Sequence, residues 1–193
     1  MKQANMSDPP PQAERAWLAL LCYPALLLLL LMPLASSATA ADTQEDELKA
    51  ALIYKLTRFI SWPLQAEGED LNICVTGEHP LGGALEEIRS KRSNDRTIRI
   101  QYLSPHESLD GCQLLFLSND SPDSVSDMVT RLGDRPIVSL SDSHSFAKKG
   151  GMIEITRRNH RYSFTINMQS VTQSGVKIAA PLLQISKLIR SEP

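Results

Sequence analysis

Apolar positions along this chain recur with a helical period in some stretches and with a strand period in others. Residues 48–63, LKAALIYKLTRFISWP, carry Leu48, Leu52, Leu56 and Phe59 at steps of four, four and three, with Ala51 and Ile60 widening the stripe. That spacing puts one apolar face on a helix. Asp42 and Glu45 have capping-box spacing ahead of it, Thr43 is a competing cap, and Trp62-Pro63 stops it because proline restricts the residue before it. Lys55 projects near the middle of the stripe, where its stem can snorkel or mark a part left unburied. The stripe is expected to pack on a sheet, with partner contact as the alternative use.

Residues 71–76 (LNICVT), 112–118 (CQLLFLS) and 136–140 are short apolar runs, the pattern of strands covered on both faces. Residues 97–103 (TIRIQYL) alternate, which predicts a strand with one wet face. Helical spacings fall between them. Residues 81–91 continue through Leu81, Leu85 and Ile88, and Ser104-Pro105 starts a short helical turn ending near Gly111. Ser121, Pro122 and Asp123 open a helix carrying Val125, Met128, Val129 and Leu132 as far as Gly133, with proline well placed at a first helical position. Four strands alternating with helices predict a single α/β domain, with a largely parallel central sheet, helices on both faces and right-handed crossovers.

The pattern changes after Ser141. Residues 146–151 (FAKKGG) read as a short turn of helix with a glycine exit, and residues 152–156 and 161–167 (RYSFTIN) as strands joined by the polar turn 157–160. So short a turn predicts a C-terminal antiparallel hairpin. In its second strand Tyr162, Phe164 and Ile166 point one way, while Arg161, Ser163, Thr165 and Asn167 point the other. Residues 168–174 read as helical, Gly175 interrupts, and residues 176–190 read as a closing helix containing Leu182, Ile185 and Ile189.

Composition changes this picture mainly at the start of the chain. Residues 1–17 are polar with Lys2 and Arg15, residues 18–34 are almost wholly apolar, and residues 36–41 are small and contain Ala38-Thr39-Ala40. A charged, an apolar and a cleavage region in that order predict a secretory signal peptide over 1–40, leaving one domain over 41–193. The apolar run approaches membrane-spanning length, so an uncleaved anchor is the alternative. Cys22, preceded by Leu21, is a poor lipidation site. The formal net charge is −2, without the basic face of a nucleic-acid binder. Two cysteines follow the leader, Cys74 and Cys112, and an oxidising compartment makes one disulfide their simplest use, against two buried free thiols as the alternative.

Signals of catalysis are sparse. There is no Gly-x-Ser-x-Gly elbow, no His-Glu-x-x-His helix and no Gly-rich nucleotide fingerprint, so an enzyme is not expected. His79, His106, His144 and His160 fall in predicted loops with no metal-ligand spacing, and no metal or cofactor is implied. The loop 77–83, GEHPLGG, runs from a buried strand into a helix, where α/β sheets hold ligands. It does not match a phosphate loop and Glu78 would repel an anion, so it reads first as a plain turn and second as the site of a periplasmic small-ligand receptor. Asp110, Asp120 and Asp142 lie near strand ends or connections without a defined pairing, and Lys148-Lys149 reads as a solvated turn.

Taken together, LKAALIYKLTRFISWP, LNICVTGEHPLGGAL, GCQLLFLS, FAKKGGMIEI and YSFTINMQSVTQSGVKIAAPLLQISKLIR resemble the YfiR family over essentially all of residues 41–193. The opening helix ending in Trp-Pro, the glycine pair before Met152 and the Ile-Asn before Met168 carry the likeness. The resemblance implies a periplasmic regulator that represses an inner-membrane diguanylate cyclase, lowers cyclic-di-GMP and biofilm formation, and is relieved by an outer-membrane lipoprotein or by redox disturbance. It also admits a homodimer. By position, Cys74 and Cys112 match the family's structural disulfide. A second disulfide that a better studied member has near the glycine hairpin has no counterpart, since no cysteine lies between Gln113 and Pro193, and Thr165 stands where the family often has an acid. Arg161, Ser163, Thr165 and Asn167, with Val171 beside them, are the candidate partner contacts, with an ordinary solvent-facing strand side as the other reading of that face.

Overall fold

The computed structural model describes residues 38–190 apart from 67, 78, 79, 122 and 160. The chain runs α1 (Ala38–Thr57), β1 (Ile60–Ser61), β2 (Asp70–Thr76), β3 (Arg92–Ser93), β4 (Arg96–Tyr102), β5 (Leu114–Leu117), α2 (Val125–Leu132) and β6 (Val138–Ser141). It closes with β7 (Ile153–Arg158), β8 (Arg161–Asn167), α3 (Met168–Ser174), β9 (Lys177–Ile178), α4 (Ala180–Gln184) and β10 (Lys187–Ile189). Among the described residues, β1 and β9 form a small antiparallel pair and the other eight strands one sheet, in the order β10-β8-β7-β6-β5-β2-β4-β3. Neighbours from β4 to β7 are parallel, β10 runs parallel to β8, and β7-β8 is an antiparallel hairpin. This is the α/β domain with a mostly parallel sheet and a hairpin that the sequence pattern predicts.

The continuous apolar runs become strands because both of their faces are covered. Leu71, Ile73 and Val75 of β2 and Leu114 and Phe116 of β5 join one core, under α1, α3 and α4. Cys74, Leu115 and Leu117 face the opposite core, which Met128 and Leu132 of α2 complete with Phe146. Cys74 and Cys112 are disulfide-bonded in that second core, with their Cα atoms 5.7 Å apart. In β4 only Ile98 and Ile100 are buried, while Arg99 and Gln101 are exposed, so this strand has its wet face.

Several elements differ from the sequence expectation. Helix α1 begins at Ala38, ahead of Asp42, and ends at Thr57, so Asp42 and Glu45 lie inside it and Trp62-Pro63 beyond it. Its buried face is also rotated: Ala50, Ile53, Leu56 and Thr57 are buried, whereas Leu48 is 47% exposed and Phe59 38%. The polar Thr57 is at home there because its hydroxyl hydrogen-bonds the Tyr54 carbonyl and the Ser93 hydroxyl, each at 2.7 Å. Trp62 is buried beyond the helix and its Nε1–H donates to the Gln113 carbonyl at 2.9 Å.

Residues 80–88 form 3₁₀ turns in place of a regular helix, broken where Leu81, Gly82 and Gly83 take positive φ. The expected helical turn at 104–111 is two separate turns, and His106 at φ 62° adopts a left-handed conformation that a right-handed helix cannot continue through. Helix α2 opens later than Pro122, which lies outside the described residues, on a Ser124 cap that accepts from the Asp127 N–H. The closing helix over 176–190 resolves into β9, the short α4 and β10. There Lys187, Leu188 and Ile189 pair with Thr165, Ile166 and Asn167 of β8, and this tertiary ladder overrides a spacing that reads as helical.

Candidate functional site

The polar side of the hairpin is where the sequence concentrates chemistry with no role in the core. In β7, Ile153 and Ile155 go to the core, which sends Glu154, Thr156 and Arg158 to the opposite face. Cross-strand partners share a face, and Glu154 sits opposite Thr165, Thr156 opposite Ser163 and Arg158 opposite Arg161. On the other flank of β8, Lys187 stands beside Thr165. The result is a groove of about 590 Å³ with Ser163, Thr165, Glu154, Arg158 and Lys187 on its walls, closed at one end by His144, Ser145 and Lys148.

One wall is pinned from below. The buried Glu154 carboxylate accepts the Ala147 N–H at 3.1 Å, and Asn167 Nδ2 donates to the Ala147 carbonyl at 2.9 Å. The Asn167 side-chain oxygen also accepts from Gln169 and Ser170, capping α3. The turn leaves this anchor through Gly151, where a Cβ would come within 2.2 Å of the Phe146 ring. Only glycine lets the backbone pass the buried ring.

Sequence alternation assigns Asn167 to the correct side of β8, but the 146–150 turn covers that end of the face, and Asn167 is 0% exposed. Val171 is likewise buried, in the core beneath α3. Of these two candidate contact residues, Asn167 anchors the turn at the end of the groove and Val171 belongs to the core on the other face of the sheet. Arg161 and Ser163 are exposed and Thr165 is half-buried, so these three remain on the accessible face. The residues missed from sequence are Glu154, Arg158 and Lys187, with Lys148 and His144 read there as plain surface. They come from different segments, and Lys187 reaches the groove only because β10 pairs with β8.

A second polar cluster closes the carboxyl ends of the parallel strands. Lys49 of α1 bridges Glu45 at 3.2 Å and Asp142 at 2.7 Å, Arg157 also contacts Glu45, and Asp142 accepts the Asn119 N–H at 3.2 Å. The chain steps from β2 to β4 and then to β5 on the other side of β2, so the crevice where such sheets hold ligands lies between β2 and β5. Here it is tight. Gly77 has φ 129°, and a Cβ on it would come within 2.5 Å of Asp120 Oδ1, while one on Gly82 would come within 3.0 Å of Asp46 Oδ2. Glu78 and His79 of the candidate ligand loop lie outside the described residues.

A cavity of about 380 Å³ lies on the β4 side of that crevice, between Thr76, Gly77, residues 102–105 and Asp123. The Asp123 carboxylate is flanked by His106 Nδ1 at 3.5 Å and the Arg131 guanidinium at 3.6 Å. Among the described residues no three His, Cys, Asp or Glu side chains could share a metal ion, and no helix is long and apolar enough to cross a membrane. His160 lies outside the described residues. Of the other acids considered, Asp110 sits 3.6 Å from Arg135 at the surface.

The α1 cluster carries a pH prediction. Burial pushes the Glu45 carboxyl up, but the Lys49 hydrogen bond and the Lys49 and Arg157 charges outweigh it and hold the group below its ordinary 4.5. Burial pushes Lys49 down, and its bonds to Asp142 and Glu45 overcome that and raise it above 10.5. A lowered acid stabilises the fold above its unfolded value and loses that contribution as pH falls. A raised base stabilises below its unfolded value and loses that contribution as pH rises. The Tm gap between the wild type and Glu45→Gln is therefore expected to close as pH drops below 4.5. A gap unchanged at about pH 3 would contradict the linkage.

The fold defines a class: a single α/β domain with a mostly parallel sheet and an antiparallel hairpin, with an open polar groove beside that hairpin. Residues 46–187 match the YfiR/HmsC-like family model, and the chain belongs to that family. A search of curated proteins returned no match.

Proposed function

We propose that this chain is an exported periplasmic regulatory protein that represses an inner-membrane diguanylate cyclase, thereby lowering cyclic-di-GMP and biofilm formation, with an outer-membrane lipoprotein as the relieving partner. The observation that carries the reading is the family match over residues 46–187. Two features support it: the charged, apolar and small-residue order of residues 1–40, which reads as a cleaved leader, and the open groove beside the hairpin. In this reading Arg161, Ser163 and Thr165 touch the periplasmic part of the cyclase, while Asn167 anchors the end of their strand to the 146–150 turn.

Repression then follows from differential binding. A regulator shifts its target only by favouring one conformation, and an ordinary coupling of about 1–3 kcal/mol changes the active fraction severalfold to a hundredfold. A photo-crosslinking amino acid in place of Ser163 is expected to capture an inner-membrane protein bearing a cyclase domain. The same probe in place of Arg92, on β3 at the far edge of the sheet, is expected to capture none. Capture of the cyclase from position 92 and not from 163 would move the contact off the hairpin.

A further inference from the structure

Strand β10 ends the sheet: it pairs with β8 on one side and, among the described residues, with nothing on the other. An open edge presents unpaired N–H and C=O groups, which proteins usually shield. This edge carries Leu188, 48% exposed. Grooves of about 720 and 590 Å³ lie on its two sides and share Ile189 as a lining residue. They differ in chemistry. One is lined by Met168 and Leu188 together with the uncharged Gln169, Thr172 and Gln173 and with Arg190, and the other carries Lys148, Arg158 and Lys187 beside the buried Glu154. None of these three cations forms an ion pair among the described residues.

We infer that β10 is a docking edge that receives an extended segment of a protein partner, one with apolar and acidic side chains in alternation, as a further strand of the sheet. This deepens the regulatory reading and rests on it for the partner being a protein. Successive side chains of an added strand point to opposite faces, so one set packs on Met168 and Leu188 and the other meets the cations, while backbone hydrogen bonds supply the register. A second copy of this chain is a poorer occupant, because pairing two β10 edges sets Lys187 and Arg190 of one copy near those of the other. Three residues of edge make a short ladder, suited to a contact that must be released.

The probe is an end-blocked peptide of alternating valine and glutamate, titrated against the purified protein at low salt by fluorescence anisotropy. It is expected to bind, with about tenfold or greater weakening when glutamate is replaced by lysine in the peptide or when the protein carries Lys187→Glu. Methylating alternate peptide nitrogens should abolish binding, since that removes ladder donors and keeps every charge. Absence of binding, equal binding of the lysine peptide, or binding that survives methylation overturns the inference. So does a dimer in sedimentation that Lys187→Glu dissociates, because a second copy would then own the edge. If the peptide fails while deleting the gene still raises cyclic-di-GMP, the edge assignment falls and the repressor reading stands. If the peptide binds and deletion changes nothing, the repressor reading falls and the edge remains.

Discussion

Replacing Cys74 and Cys112 together by alanine is expected to lower stability by about 3–4 kcal/mol, through the conformational freedom returned to the unfolded chain. The bridge spans 38 positions of sequence and ties β2 to the segment that leads into β5, the two strands at the centre of the parallel sheet. Cys74 is 0% exposed and Cys112 6%, so both sulfurs also fill the core under α2. Equilibrium urea unfolding of the oxidised protein and the double variant measures the difference. A loss under about 1 kcal/mol would mean that the closed loop is already constrained in the unfolded ensemble. Among the described residues Cys74–Cys112 is the one disulfide, so any redox sensitivity of the described domain should disappear in the alanine pair.

Leu56→Ala is expected to cost about 2–5 kcal/mol, because a buried leucine leaves both its transfer energy and a cavity behind. Leu48→Ala, two turns earlier on the face that the apolar spacing predicts as the packing stripe, is expected to stay within about 0.5 kcal/mol. The contrast follows from exposures of 3% and 47%. Thermal or urea denaturation of both variants decides it. Similar losses at the two positions would restore the original stripe, and a stable Leu56→Ala protein that no longer represses would turn the buried face into an interface.

That pair of leucines shows where the sequence is legible and where it is not. Strands β2 and β5 are readable because burial on both faces demands an unbroken apolar run, a signal that needs no knowledge of neighbours. The hairpin is readable because alternation is local. The face of α1 is not, since Thr57 lines the core although it is polar, and it does so through hydrogen bonds to Tyr54 and to the distant Ser93. The end of the chain misleads for a related reason. Leu182, Ile185 and Ile189 have helical spacing, yet Ile185 is 70% exposed and residues 187–189 are held extended by a strand some twenty residues earlier.

The groove divides along the same line. Ser163 and Thr165 are visible as one face of a strand, whereas Glu154, Lys148 and Lys187 join them only through strand pairing and a turn fixed by Asn167. Reading Asn167 as a contact residue follows correctly from alternation, and only the turn lying over it reveals its supporting role. Glycines at 77 and 82 suggest a ligand loop from sequence, but in space they mark close approach to Asp120 and Asp46.

Cyclic-di-GMP in a strain lacking this gene, measured beside a strain complemented at matched protein abundance, tests the account most directly. Deletion is expected to raise cyclic-di-GMP and biofilm, the wild-type chain to bring both back down, and a chain carrying Arg158→Glu with Ser163→Glu to leave them high because the groove then repels an acidic partner. Unchanged cyclic-di-GMP after deletion, with the cyclase gene intact, would contradict the proposed function, and full complementation by the double variant would contradict the groove.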